Sequence, residues 1–140
     1  MDGIINFIKL YFAGFLTILV HLLGGWDVSI QVLATFMVID YISGIIKAIH
    51  NKNLDSNVGF RGIFKKMGML IVVMVGVGVD YFINTAGFMR ELIIYYLVLT
   101  EALSITENLG AIGVPLPKKF VNTLEKLREE KEDLDEGDRV

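Results

Sequence analysis

Four apolar stretches separated by polar breaks set the pattern of this chain: residues 4–25, 28–48, 67–87 and 92–114. A membrane-spanning helix needs roughly 17–25 such residues, so each stretch is a candidate span. The first is the shortest in effect, with 17 positions from Leu10 to Trp26 free of formal charge. Lys9 can snorkel to one interface and Trp26 suits the other. The alternative for this segment is a helix lying in the interface, which would leave three spans. Gly24-Gly25-Trp26-Asp27 breaks the pattern as a tight turn, and Pro115-Leu-Pro117 cannot continue a helix and ends the fourth stretch.

Polar residues inside the spans are not scattered. At 100° per residue, Asp40, Ser43, Gly44 and Lys47 share one face of the second segment, opposite Val38, Ile42 and Ile49. In the third, Gly76, Asp80, Asn84 and Gly87 share a face that predicts a close-packed helix interface. Its apolar residues favour insertion by about 3–5 kcal/mol together, against about 2.5–3.5 for a central Asp, so Asp80 does not prevent spanning. In the fourth, Thr100, Glu101, Ser104, Glu107 and Asn108 fall within an arc of about 120°, while Leu99, Leu103 and Leu109 lie outside it. That is the most amphipathic of the four.

The charges supply the topology. Between Lys47 and Lys66 there are five bases (Lys47, Lys52, Arg61, Lys65 and Lys66) against one acid, Asp55. A basic island between apolar segments marks the cytoplasmic side, because Lys and Arg resist translocation. Within it, Phe60 and Phe64 alternate with bases as in an interfacial helix. Four spans with both termini inside place 12 of the 13 bases in the cytoplasm, with only Arg90, in a short outer turn with Glu91, outside. Three spans would divide them. The expectation is an all-α membrane protein, a bundle of four transmembrane helices. Its membrane domain covers 1–117 with a basic cytoplasmic loop at 49–66, and a charged, amphipathic cytoplasmic tail covers 118–140. The tail should form a short helix with Phe120, Val121, Leu124 and Leu127 on one side, then a solvated end.

Composition agrees: 54% of the 140 residues are apolar, 21% are charged, and mean hydropathy is +0.57. About 45–50% and 25% are usual for soluble domains. With no cysteine, disulfides, thiolate metal sites and Cys nucleophiles are excluded together. The acidic start and the Gly-Gly-Trp-Asp sequence argue against a cleaved signal peptide. HExxH, P-loop and GxSxG motifs are absent, and His21 and His50 fall on opposite sides of the expected membrane. Gly76-Val-Gly-Val-Asp80 and Asp40-Tyr41 superficially suggest an intramembrane aspartyl protease, but the first has one residue too many and the second runs in the wrong order. No enzyme, cofactor or metal site is expected, and the basic-aromatic patch is too small to read as a nucleic-acid site.

What remains is Asp40, Asp80, Glu101 and Glu107. Hydrocarbon makes such groups expensive, so they are functional candidates; the structural alternative is pairing within the bundle, for example Asp40 with Lys47.

Several of these residues together resemble the toxin-secretion/phage-lysis holin family of small phage membrane proteins. The resemblance covers about residues 30–125. It rests on Asp40-Tyr-Ile-Ser-Gly44 with Lys47 following, Asp55-Ser56 with Gly59 and Gly62, and Lys65-Lys66 at a span start. It continues through Asp80, Glu107-Asn108 and Gly113-Val-Pro115-Leu-Pro117. Ser43 stands where a Thr is usual, keeping the hydroxyl. The resemblance implies a multi-pass protein of the bacterial cytoplasmic membrane that self-associates in the lipid bilayer. At a set time it would open lesions that release a cell-wall hydrolase. An antiholin would share the fold, and a small ion or proton channel or transporter using Asp40, Asp80 and Glu101 is the reading from another class.

Overall fold

The computed structural model describes residues 1–52 and 56–137. Five helices follow one another: α1 (Asp2–Leu22), α2 (Val28–His50), α3 (Ser56–Ile83), α4 (Phe88–Ala111) and α5 (Lys118–Gly137). Among the described residues every regular element is helical. Three helices are long and apolar enough to cross a membrane: Gly3–Leu22, Val28–His50 and Gly59–Ile83. The fourth segment, with Arg90, Glu91, Glu101 and Glu107, falls outside that group by composition.

Helix ends follow local chemistry. Asp27 caps α2 by accepting a hydrogen bond from the Ile30 backbone N–H at 3.0 Å. At α4, the N-terminal amides of Met89 and Arg90 donate to the Asp80 carboxylate at 2.9 and 2.8 Å. The cap is therefore supplied by the preceding helix across a turn of left-handed residues, Asn84, Ala86 and Gly87. α4 ends at Ala111, ahead of Gly113 (φ +86°), Pro115 and Pro117.

α4 is the centre of the fold, packed against α2, α3 and α5. The main core joins Ile30, Leu33 and Met37 of α2 to Met69 and Val73 of α3 and Ile94 and Leu97 of α4. A second cluster joins Leu99 and Leu103 of α4 to Leu124 of α5. Close approach of α3 to α4 depends on Gly76, where a Cβ would lie 2.6 Å from Ile93 Cδ1 and 3.2 Å from the Arg90 Cα.

Three expectations change. The packed unit is α2, α3 and α4 with α5 laid against it, whereas α1 meets the core only at its end, through Leu19 and the following Leu23, and is exposed from Gly3 to Ile18. Residues 56–66, expected within a basic loop, are the first three turns of α3, so the Phe60–Lys66 stretch continues into the long helix. Arg90 and Glu91, expected in a turn before the fourth helix, belong to its first turn. In α4, Leu99 and Leu103 escape the polar arc as the wheel predicted, and the reason is α5.

Candidate functional site

Two polar clusters lie at opposite ends of the α2–α3–α4 unit, with the apolar core between them. Fourteen residues of α3 separate Lys66 from Asp80, about 21 Å at 1.5 Å per residue.

The first cluster is built from three helices. Lys66 of α3 donates to Asp40 Oδ2 of α2 at 2.7 Å and to Glu101 Oε2 of α4. Glu101 is fully buried, and its Oε1 has no hydrogen-bond partner among the described residues. Asn108, two turns further along α4, donates through Nδ2 to Asp40 Oδ1 (3.1 Å) and Ser43 Oγ (3.2 Å). Its Oδ1 accepts from Lys47 Nζ at 3.3 Å. Ser43 Oγ donates to the Asp40 carbonyl at 3.0 Å. Two carboxylates and two ammonium groups thus balance inside the unit, with an amide joining them. Gly62 lets the Tyr41 ring lie against α3, where a Cβ would meet it at 3.3 Å. A cleft bordered by Asp40, Tyr41, Gly44, Gly62, Lys66 and Ser104 opens beside the cluster.

At the other end, Arg90 is buried and donates four ways. Nε reaches the Leu23 carbonyl (2.6 Å), Nη1 reaches Asp27 (2.7 Å) and Glu91 (2.6 Å), and Nη2 reaches Asp27 (3.1 Å). The Arg90 hydrogen bonds hold the Asp27 carboxyl below its ordinary value of 3.8. Ser29 completes the edge by donating to Glu91 at 2.8 Å. Asp80 accepts from the Thr85 hydroxyl as well as the two amides of α4.

A bacteriophage holin family model matches residues 17–129, which takes in both clusters and most of α5. The chain belongs to that family. It is similar to an uncharacterised 14.9 kDa protein of Clostridium perfringens, 39% identical over 132 residues that cover 94% of this chain and all of that protein. A second uncharacterised C. perfringens protein is 40% identical over 128 residues, covering 91% of this chain and 95% of that protein. One from Clostridium acetobutylicum is 38% identical over 109 residues, 77% and 87% of the two chains. No solved structure matches. This holin-family chain is a membrane protein.

The residues singled out from the sequence divide into three groups. Asp40, Ser43, Gly44, Lys47, Glu101, Ser104 and Asn108 come together around Lys66, which the charge count had ranked only as a topology marker beside Arg61 and Lys65. Those two are exposed on α3. Asp80 sits apart at the far end, and Thr100 is half-buried, its hydroxyl donating to the Tyr96 carbonyl of its own helix. Glu107 is exposed and borders a groove with Glu125 and Arg128 of α5, while Pro115 and Pro117 lie in the connection between α4 and α5. Asp40 pairs with Lys66 rather than with Lys47, because Lys66 approaches from the facing helix. Arg90 and Asp27 were the missed partners. The signal available was that Arg90 is the one base outside the expected cytoplasmic set, with Asp27 in the neighbouring turn.

Proposed function

We propose that this chain is a holin: it accumulates in the bacterial cytoplasmic membrane, self-associates, and at a threshold density opens lesions that release a cell-wall hydrolase. Membership of the bacteriophage holin family carries the reading, and the distribution of polarity supports it. Exposed apolar side chains run along α2 from Val28 to Ile49 and along α3 from Phe60 to Ile83. At 1.5 Å per residue the α2 row is about 32 Å long, enough for a hydrocarbon core of about 30 Å, and the α3 row beyond the exposed Arg61 and Lys65, from Met67 to Ile83, is about 24 Å. On α4 at that depth Glu101 is turned inward onto Lys66 and the Asn108 amide onto Asp40, while Glu107 is exposed.

That arrangement lets α4 serve as a fourth span although its own composition is too polar, since α2 and α3 shield Glu101 and Asn108 from lipid. With α1 spanning as well, both termini, Lys52 of the α2–α3 connection, and Arg61 and Lys65 in the first turns of α3 lie on the cytoplasmic side. A relay through Asp40, Asp80 and Glu101 is disfavoured, because Leu33, Val73 and Ile94 stand between Asp80 and the other two.

Induced expression in bacteria, with membrane potential and leakage of a co-expressed wall hydrolase followed together, tests the function. A sudden, density-dependent collapse with hydrolase release is the expected result. Graded loss of potential with the hydrolase retained would instead indicate a small-ion channel, and no effect an antiholin.

A further inference from the structure

We propose that α5 docks along α4 to form the water-facing wall of the lesion, an inference that rests on the holin reading above. Leu124 closes over Leu99 and Leu103 of α4, with Val121 and Leu127 packed beside it. Leu103 and Leu99 lie about 12 and 18 Å back from the end of α4 at Ala111, so α5 runs alongside α4 within the span of the bundle. The Asp40–Lys66–Glu101 cluster sits at this level, and so do the exposed apolar rows of α2 and α3.

The outer face of α5 is of the opposite character. Lys119, Asn122, Glu125, Lys126 and Glu129 are all exposed. Lipid at that depth would strip them of water and offer no hydrogen-bond partner in its place. The docked helix is therefore compatible with a bilayer only where the α4–α5 side of the molecule faces water while the α2–α3 side faces lipid. Glu107, exposed on the same flank of α4 and bordering the groove with Arg128, makes the same demand.

Docking is consequently coupled to assembly. In a lone chain, lipid covers Leu99 and Leu103 and α5 stays in the cytoplasm, swung away on the connection of residues 112–117. Gly113 gives that connection its left-handed turn (φ +86°). When chains associate around water, the leucines would be exposed to it, and the apolar stripe of α5 covers them while its charged face lines the lumen.

The chain has no cysteine, so a Leu103→Cys/Leu124→Cys pair reports docking directly. The full-length variant is reconstituted at increasing density into phospholipid vesicles holding a fluorescent dextran, and oxidised. Disulfide formation is expected only at densities that release dextran, and the cross-linked protein is expected to keep releasing it. A disulfide that forms below the threshold and blocks release until reduced would make α5 a restraint and overturn the proposal. So would dextran release with no cross-link at any density. Glu107→Cys/Glu125→Cys, both at exposed positions, repeats the measurement with a short bismaleimide without disturbing the packed leucines. Unsubstituted protein that releases nothing would be failure of the holin reading itself, scored separately in the same vesicles, and the wall assignment would fall with it.

Discussion

At the scale of single residues, Lys66 decides how the cluster around Asp40 and Glu101 behaves. It is the cation shared by Asp40 and Glu101, and all three side chains are largely or wholly buried. Removing one partner of a buried ion pair leaves an uncompensated charge, which typically costs about 3–5 kcal/mol, whereas replacing a whole buried set with apolar groups is often neutral or stabilising. Lys66→Met should accordingly destabilise the protein by about 3–5 kcal/mol in reversible unfolding from detergent micelles. The fourfold change Asp40→Leu, Lys47→Met, Lys66→Met, Glu101→Leu, which removes every charge of the set, should recover most of that loss. A fourfold variant weaker than the single one would show that the cluster holds the helices together rather than merely balancing itself. Glu101→Gln should be milder than Lys66→Met, since an amide oxygen can still accept from Lys66, which keeps Asp40 as its counter-charge. The sequence placed Asp40 and Glu101 on polar faces but could not pair them. A wheel reports the direction of a side chain around its own helix, not the residue that meets it from 35 positions away. Lys65 and Lys66 look equivalent in a charge count, yet one turn of 100° sends the first to the surface and the second into the bundle.

The helix ends are where elements are tied to one another. Arg90 joins α4 to the α1–α2 turn through Leu23 and Asp27, and Gly24 makes room for it: a Cβ there would lie 2.7 Å from Arg90 Nε, on backbone already at φ +80°. Gly24→Ala should lower stability by more than about 1 kcal/mol, the usual scale for a side chain forced into a left-handed position. Arg90→Lys should be nearly as damaging despite the retained charge, because an ammonium cannot serve Leu23, Asp27 and Glu91 together. Thermal unfolding of both variants measures this. The depressed Asp27 carboxyl adds a pH dependence whose sign is fixed. A carboxylate favoured in the folded state contributes stability above its unfolded value of about 3.8 and loses it as pH falls through the lower folded value. Stability should therefore drop below about pH 4, and Asp27→Asn should flatten that acid limb while lowering stability at neutral pH. The turn itself was legible from Gly24-Gly25-Trp26-Asp27, as was the close α3–α4 packing from the Gly76–Asp80 face. Arg90 was not: hydropathy set the start of the fourth helix at the first apolar residue after the charges, whereas Asp80 caps it four residues earlier.

For the whole molecule, the arrangement around α4 explains why a helix with four ionisable residues can belong to a membrane protein. α2 and α3 take the side carrying Glu101 and Asn108, α5 takes Leu99 and Leu103, and α1 meets the core only near its end. The apolar spans were legible because lipid and protein both reward an apolar face. The folding back of α5 was not, because its Val121, Leu124 and Leu127 stripe specifies only some apolar surface, and the tail's charge reads equally well as a solvated end. Two substitutions separate structure from function at this scale. Asp80→Leu removes the acceptor for two amides and a hydroxyl at the start of α4, so it should reduce the amount of folded protein in the membrane. Glu107→Leu removes an exposed charge that no described hydrogen bond or ion pair engages, so the protein should insert and unfold like the parent. In lipid, loss of that charge favours the unassembled chain by up to about 3 kcal/mol. If the α4 flank must face water for a lesion to open, Glu107→Leu should delay lysis or abolish it at unchanged membrane abundance, measured by culture turbidity with quantitative immunoblotting. Unaltered lysis timing at equal abundance would place Glu107 away from the lumen, and the water-facing side of the assembly would have to be sought elsewhere on the molecule.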